Sequence, residues 1–146
     1  MTSRFPLAIA LLFSLLVVGC SKAKPQGVRE QTSPLTGIIK VDGQAAEGVE
    51  VQCNPEPGNS KINYPVVATT DKNGAFAVGT YQKGDGLPEG NYLLTFVWME
   101  AGLTPKDKLK GAYTDPKKSK HKVTIELGEK KNDLGEIELV TKGSGK

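Results

Sequence analysis

Histidine and cysteine are scarce in this chain: there is one of the first, His121, and two of the second, Cys20 and Cys53. Zinc sites and thiol or imidazole catalysis need several such groups converging, and a single histidine cannot supply them by itself. Two cysteines also exclude a disulfide framework, so the fold must rest on an apolar core. A strong excess of one charge sign is missing as well. The formal net charge is only +3, too small to imply nucleic acid as a partner. Convincing helical periodicity is absent. The one long apolar run, Leu7 to Val18, falls short of the roughly 20 residues that cross a bilayer comfortably.

What the chain does have is a series of short alternating segments separated by turn residues. Thr69 to Trp98 organises the rest. Within it, Asp71-Lys72-Asn73-Gly74 is a turn: Asp and Asn side chains bond their own backbone, and Gly74 supplies a positive φ. Phe76 and Val78 then alternate with Ala75, Ala77 and Gly79, as in a strand with one buried face. After the Gly/Pro loop Gly84 to Gly90, Tyr92, Leu94, Phe96 and Trp98 share one face of the longest apolar strand. Leu93, Thr95 and Val97 make the other face apolar too, which predicts a central strand.

Upstream, Leu35 to Val41 followed by Asp42-Gly43 is a strong hairpin signal. Val49, Val51 and Cys53 alternate with Glu50 and Gln52, which turns the Cys53 thiol inward as a small hydrophobe. Asn54 to Ser60, with two prolines and a glycine, is expected to be loop, and Val66 to Thr70 a short strand. Downstream, Met99 to Asp115 is expected to be irregular. Lys122–Leu127 and Leu134–Val140 are expected to close the domain as a last hairpin. Seven short strands with turns between them predict an all-β, seven-stranded antiparallel β-sandwich.

The N-terminus has its own logic. Arg4, the apolar run, and a small residue at its end have the marks of an export signal. Val17-Val18-Gly19-Cys20 resembles the bacterial lipobox, which implies cleavage before Cys20 and attachment of diacylglycerol to its thiol. The alternative is a plain secretory signal with a coincidental cysteine. Each buried CH₂ of an acyl chain contributes about 0.8 kcal/mol, so several chains anchor stably. The expected organisation is a signal at 1–19, a lipidated cysteine and polar tether at 20–34, a domain at 35–140 and a frayed tail at 141–146. Loss of the signal removes Arg4, leaving a mature net charge of about +2. Ser21 in place of Asp after the lipidated cysteine implies the outer membrane over the inner.

Four motifs in order carry a further resemblance: Gly37-Ile38-Ile39-Lys40-Val41-Asp42-Gly43, Gly48-Val49-Glu50-Val51, Thr70 to Phe76, and Pro88-Glu89-Gly90-Asn91-Tyr92. They are similar to the carboxypeptidase regulatory-like domain. Tyr113 to Ser119 with the closing strands resembles small bacterial lipoproteins that consist of this domain alone. The resemblance implies a transthyretin-like (prealbumin-like) Greek-key sandwich, a scaffold that serves as spacer, docking module or binding domain. It implies no enzyme. The hydroxyisourate hydrolase of the transthyretin-like group depends on several histidines, an arginine and a C-terminal Tyr-Arg-Gly-Ser, whereas this chain has only His121 and ends Lys-Gly-Ser-Gly-Lys. No peptidase His-x-x-Glu motif, no nucleophile elbow and no complete calcium loop is present, so no cofactor or metal is expected.

Charge is the remaining candidate. Lysines 106, 108, 110, 117, 118, 120, 122, 130 and 131 gather in one region. They form either a solubilising surface that guards a sheet edge or a docking face for an anionic envelope polymer or headgroup. The candidate binding residues are Trp98, Tyr113, Lys117, Lys118 and Lys120, with Tyr81 as a further aromatic platform. Two functional readings follow. One is a non-catalytic, lipid-anchored interaction or structural module that docks a protein or polymer; the other is a carrier of a sugar or peptide in a loop pocket between Trp98 and Tyr113.

Overall fold

The computed structural model describes residues 29–128 and 132–141. The signal at 1–19, Cys20, most of the tether, Lys130, Lys131 and the tail beyond Thr141 lie outside the described residues. Ten strands follow in order: β1 (Thr32–Ser33), β2 (Leu35–Val41), β3 (Gln44–Ala45), β4 (Val49–Ser60), β5 (Val66–Thr69), β6 (Ala75–Ala77), β7 (Leu87–Pro88), β8 (Gly90–Trp98), β9 (Lys122–Ile125) and β10 (Asn132–Leu139). The one helical element among these residues is a single 3₁₀ turn, Pro116–Lys118. The described residues are all-β apart from that turn.

One sheet has the order β5-β4-β8-β9 and is antiparallel throughout. The other is centred on β2, with β10 along one edge and β6 and β3 sharing the opposite edge. A third, two-stranded ladder joins β1 to β7. The inward residues of both four-stranded sheets form one core cluster, with Leu35, Ile39 and Val41 from β2, Val49, Val51 and Cys53 from β4, and Tyr92, Leu94 and Phe96 from β8. Burial of each such side chain contributes roughly 1.5–3 kcal/mol relative to exposure. The alternation along β2 and β4 is therefore what orients both sheets toward each other.

Two turns follow from local chemistry as expected. Asp42 and Gly43 both take positive φ (50° and 80°), the geometry of the tight hairpin turn that joins β2 to β3. At 71–74 the Asp71 carboxylate accepts from the N–H groups of Asn73 (2.8 Å) and Ala75 (3.0 Å). Gly74 sits at φ 74°, where a Cβ would come within 2.3 Å of the Ile39 carbonyl oxygen.

Other expectations are corrected. Asn54 to Ser60 is not loop but the continuation of β4. Pairing with β5 ends at Cys53, so beyond it β4 is free on that side, and Pro55 and Pro57 lack only N–H groups that have no ladder to join. Pairing with β8 resumes at Ser60↔Gly90 after an irregularity. The last two strands do not form a hairpin. β9 pairs with β8, whereas β10 lies in the other sheet and runs parallel to β2. Alternation at Val123/Ile125 and Ile137/Leu139 specifies an inward face but not the neighbouring strand, and the two faces meet across the core. The sheets are thus not wholly antiparallel. The end of the expected tether also belongs to the fold, since β1 pairs with β7 and Ser33 is buried. At the other end Thr141 is tied to Asp42, by its N–H at 3.1 Å and its hydroxyl at 2.7 Å.

Candidate functional site

β8 is central, as its two-sided apolarity predicts, but its edges are covered unequally. β9 covers only Gly90 to Leu93. Beyond that, the segment leading into β9 is laid along the strand: the Leu94 N–H donates to the His121 carbonyl (2.8 Å) and the Phe96 N–H to the Tyr113 carbonyl (3.0 Å). The Ser119 hydroxyl donates to the Leu94 carbonyl at 2.5 Å and accepts from the His121 N–H at 3.1 Å. The backbone groups of the exposed half of β8 are satisfied in this way without another strand.

The same arrangement builds a groove. Its floor is Leu94, and its walls carry Tyr113, Ser119 and His121 on one side and Glu138 of β10 on the other, enclosing about 430 Å³. A smaller hollow of about 310 Å³, sharing Leu94, Lys120, His121 and Glu138 with it, adds Lys122, Leu134 and Ile137 to the lining. β9 and β10 are outermost in their sheets among the described residues, and the groove runs between them. Phe96 supports it from below, with Tyr113 and His121 meeting its ring edge-on at centroid distances of 6.2 and 5.3 Å. The Tyr113 hydroxyl accepts from the Val140 N–H at 2.9 Å, which ties the segment to the end of β10.

The charges are unevenly engaged. Asp115 caps the 3₁₀ turn by accepting from the Lys117 N–H and lies 3.7 Å from the Lys118 ammonium. Glu138 accepts from the Gly43 N–H, Glu136 pairs with Lys40 at 2.7 Å, and Lys122 reaches both carboxylate oxygens of Glu56 at 3.0 Å. Lys117 and Lys120 form no ion pair among the described residues; within the groove Lys120 is balanced in sign by Glu138, which also has no ion pair there, so the positive excess comes from the exposed Lys117 beside it. Burial, and then the nearby Lys120 ammonium, lower the pKa of His121 from its usual 6.5. The imidazole is half-buried packing against Phe96, and this differs from the solvated strand edge that its lysine neighbours suggest.

The sequence candidates therefore separate. Tyr113, Lys118 and Lys120 line the groove; Lys117 stands beside it on the 3₁₀ turn, exposed. Trp98 does not line it. The Trp98 indole donates to the Glu47 carbonyl at 2.8 Å, and the Lys108 ammonium lies 3.9 Å from the centre of its ring. Asp107 accepts from the N–H groups of Trp98, Leu109 and Gly111 and clamps the base of the following loop, a role that sequence reasoning missed. Its only sequence signal is an Asp before a Gly-containing irregular stretch. Cys53 is fully buried, and burial pushes its thiol up to about 12, which leaves no thiolate for chemistry. Cys20 lies outside the described residues.

A second cavity, larger at about 760 Å³, involves none of the candidates but Tyr81. It opens between the far end of β4, the segment 61–64, and Arg29–Glu30. Tyr81 is held there because the Asp85 carboxylate accepts from the N–H groups of Thr80 (2.7 Å), Tyr81 (3.1 Å) and Gln82 (2.9 Å). Its hydroxyl accepts from the Glu30 N–H at 3.1 Å, and the Arg29 guanidinium carbon stands 5.6 Å from its ring centre. Beside it, burial and a hydrogen bond to Tyr81 raise the pKa of Tyr64.

No family model matches the chain, and no curated protein matches it. Among solved structures it is similar to a DUF3823 family protein from Parabacteroides merdae, with TM-score 0.41 and 20% identity over 77% of this chain and 46% of that one. It is also similar to a 9R-lipoxygenase from Cyanothece PCC8801, with TM-score 0.40 and 12% identity over 82% of this chain and 18% of that one. The chain thus spans less than half the length of either. Likeness at this level assigns neither family nor activity, and the class defined is that of an all-β protein with open surface cavities.

Proposed function

We propose that this protein is a non-catalytic module of the bacterial envelope, held by acyl chains on Cys20 and docking an anionic polymer or acidic protein segment along the groove between β9 and β10. In this reading the domain is a carboxypeptidase regulatory-like, transthyretin-like Greek-key sandwich, at the outer membrane in preference to the inner. The observation that carries the docking role is the groove itself. It combines an aromatic and histidine wall, Lys120 and the adjacent Lys117 without ion pairs among the described residues, and two strand edges that have no partner among those residues. Such edges accept an extended segment by backbone hydrogen bonding, and positive charge selects its sign. The lipobox-like Val17-Val18-Gly19-Cys20 supports the anchor.

The test is crosslinking and co-purification from membranes, comparing the intact chain with Cys20→Ala. The anchored reading expects the variant to leave the membrane fraction and the native chain to carry acyl mass on Cys20. An unmodified Cys20 removes the anchor from the proposal. Capture of the partner is expected to weaken steeply with salt and on joint reversal of Lys117, Lys118 and Lys120 to Glu, because exposed charges are screened beyond about 8 Å at physiological ionic strength. Salt-insensitive capture removes the docking role.

A further inference from the structure

We propose that the cleft around Tyr64 and Tyr81 is a binding site for a short oligosaccharide, separate from the groove and independent of what docks there. Its volume of about 760 Å³ lies within the 300–1,000 Å³ usual for small-ligand sites. Two tyrosines stand side by side in it, and their placement is not left to chance. Tyr81 is fixed by the Asp85 clamp on its backbone and by the Glu30 N–H on its hydroxyl, and Tyr64 follows the buried Ile62. Tyr64 nonetheless remains 44% exposed, a large aromatic side chain facing an open cavity.

The polar rim discriminates between ligand classes. Donors and acceptors both occur in its lining: Arg29, Lys61 and Asn63 supply N–H groups, while Glu30 and Glu56 supply carboxylate oxygens. Among the described residues Arg29 and Lys61 form no ion pair, and Glu56 is already neutralised by Lys122. A rim of both kinds suits a ligand whose every polar group both donates and accepts, which is what a hydroxyl does. A sugar ring adds an apolar C–H face for an aromatic plate. An extended proline-rich segment also favours aromatic-lined grooves, but its backbone offers mainly acceptors, so the Glu30 carboxylate would be desolvated without a donor.

The experiment is calorimetric titration of the full-length lipidated chain in detergent with short oligomers of glucose, xylose and N-acetylglucosamine, and with a proline-rich peptide as comparison. At least one saccharide is expected to bind at one site per chain. Tyr64→Ala is expected to weaken it by about tenfold or more, as for the loss of one aromatic contact, with an unchanged unfolding midpoint. Arg29→Ala, at a second exposed position, is expected to weaken it less, and the Lys118→Glu/Lys120→Glu variant to leave it unchanged. That last arm separates this site from the groove. Binding of the peptide in place of every saccharide, no saccharide binding, or affinity indifferent to both Tyr64→Ala and Arg29→Ala would overturn the proposal.

Discussion

The groove beside β9 and the cleft around Tyr81 are both open cavities on one sandwich, yet they are assembled in opposite ways. Most of the groove's wall is one run of chain, Ala112 to His121, hydrogen-bonded along the uncovered half of β8. The cleft draws on 29–30, 55–64 and Tyr81, segments that meet only after β1 has paired with β7 and β4 has run on past its two prolines. A site made from a contiguous run shows itself as composition. A site made by closure does not.

The comparison breaks most severely at Phe96, which underlies the groove. Phe96→Ala removes the ring that meets both Tyr113 and His121 and leaves a cavity in the core, so a loss of about 3–5 kcal/mol in urea unfolding is expected. A loss below about 1 kcal/mol would detach the groove from the core.

Next come the clamps. Asp85→Ala orphans the N–H groups of Tyr81 and Gln82 at the cleft, while that of Thr80 keeps the Gly86 carbonyl, and is expected to cost about 1–3 kcal/mol. At the groove, Asp115→Ala removes one cap from a single turn and should cost about 0.5–1 kcal/mol. Equal losses would mean that the two regions are braced alike.

A smaller effect distinguishes them by pH. The folded state holds the His121 pKa below 6.5, by burial first and Lys120 second, so the unfolded chain binds more protons in the window beneath 6.5. The contribution is therefore complete above about pH 6.5 and is lost as pH falls from there through the folded-state value. His121 shares the groove with Asp115, Lys118, Lys120 and Glu138. Urea midpoints at pH 7.5 and 5.5 are expected to converge in His121→Gln, and a wild-type difference would assign the dependence to another group. The smallest change is expected from Lys117→Glu, fully outside the groove, at within about 0.5 kcal/mol in the same assay.

Local chemistry was legible where neighbours in sequence are neighbours in space. Asp42-Gly43 and Asp71 to Gly74 turn as their side chains and positive φ require, and the buried alternation along β2, β4 and β8 appears where the pattern placed it. Tyr113, Lys118 and Lys120 come together because they ride on one segment. Trp98 is expected beside Tyr113 at a loop pocket. It is instead drawn to the Glu47 carbonyl and Lys108, contacts made across loops.

What the amino-acid order decided unaided is that this chain makes strands with one apolar face and reverses them at Asp-Gly and Asn-Gly, since both depend on energies within a few residues. Tertiary structure alone decided which strand lies beside which: β10 joins β2 in parallel instead of turning back on β9, and β4 continues through its prolines because no strand needs their missing N–H groups. An alternating pattern specifies a face. The neighbour is chosen only when the whole core closes, and with it the company that Tyr64, Tyr81 and Arg29 keep.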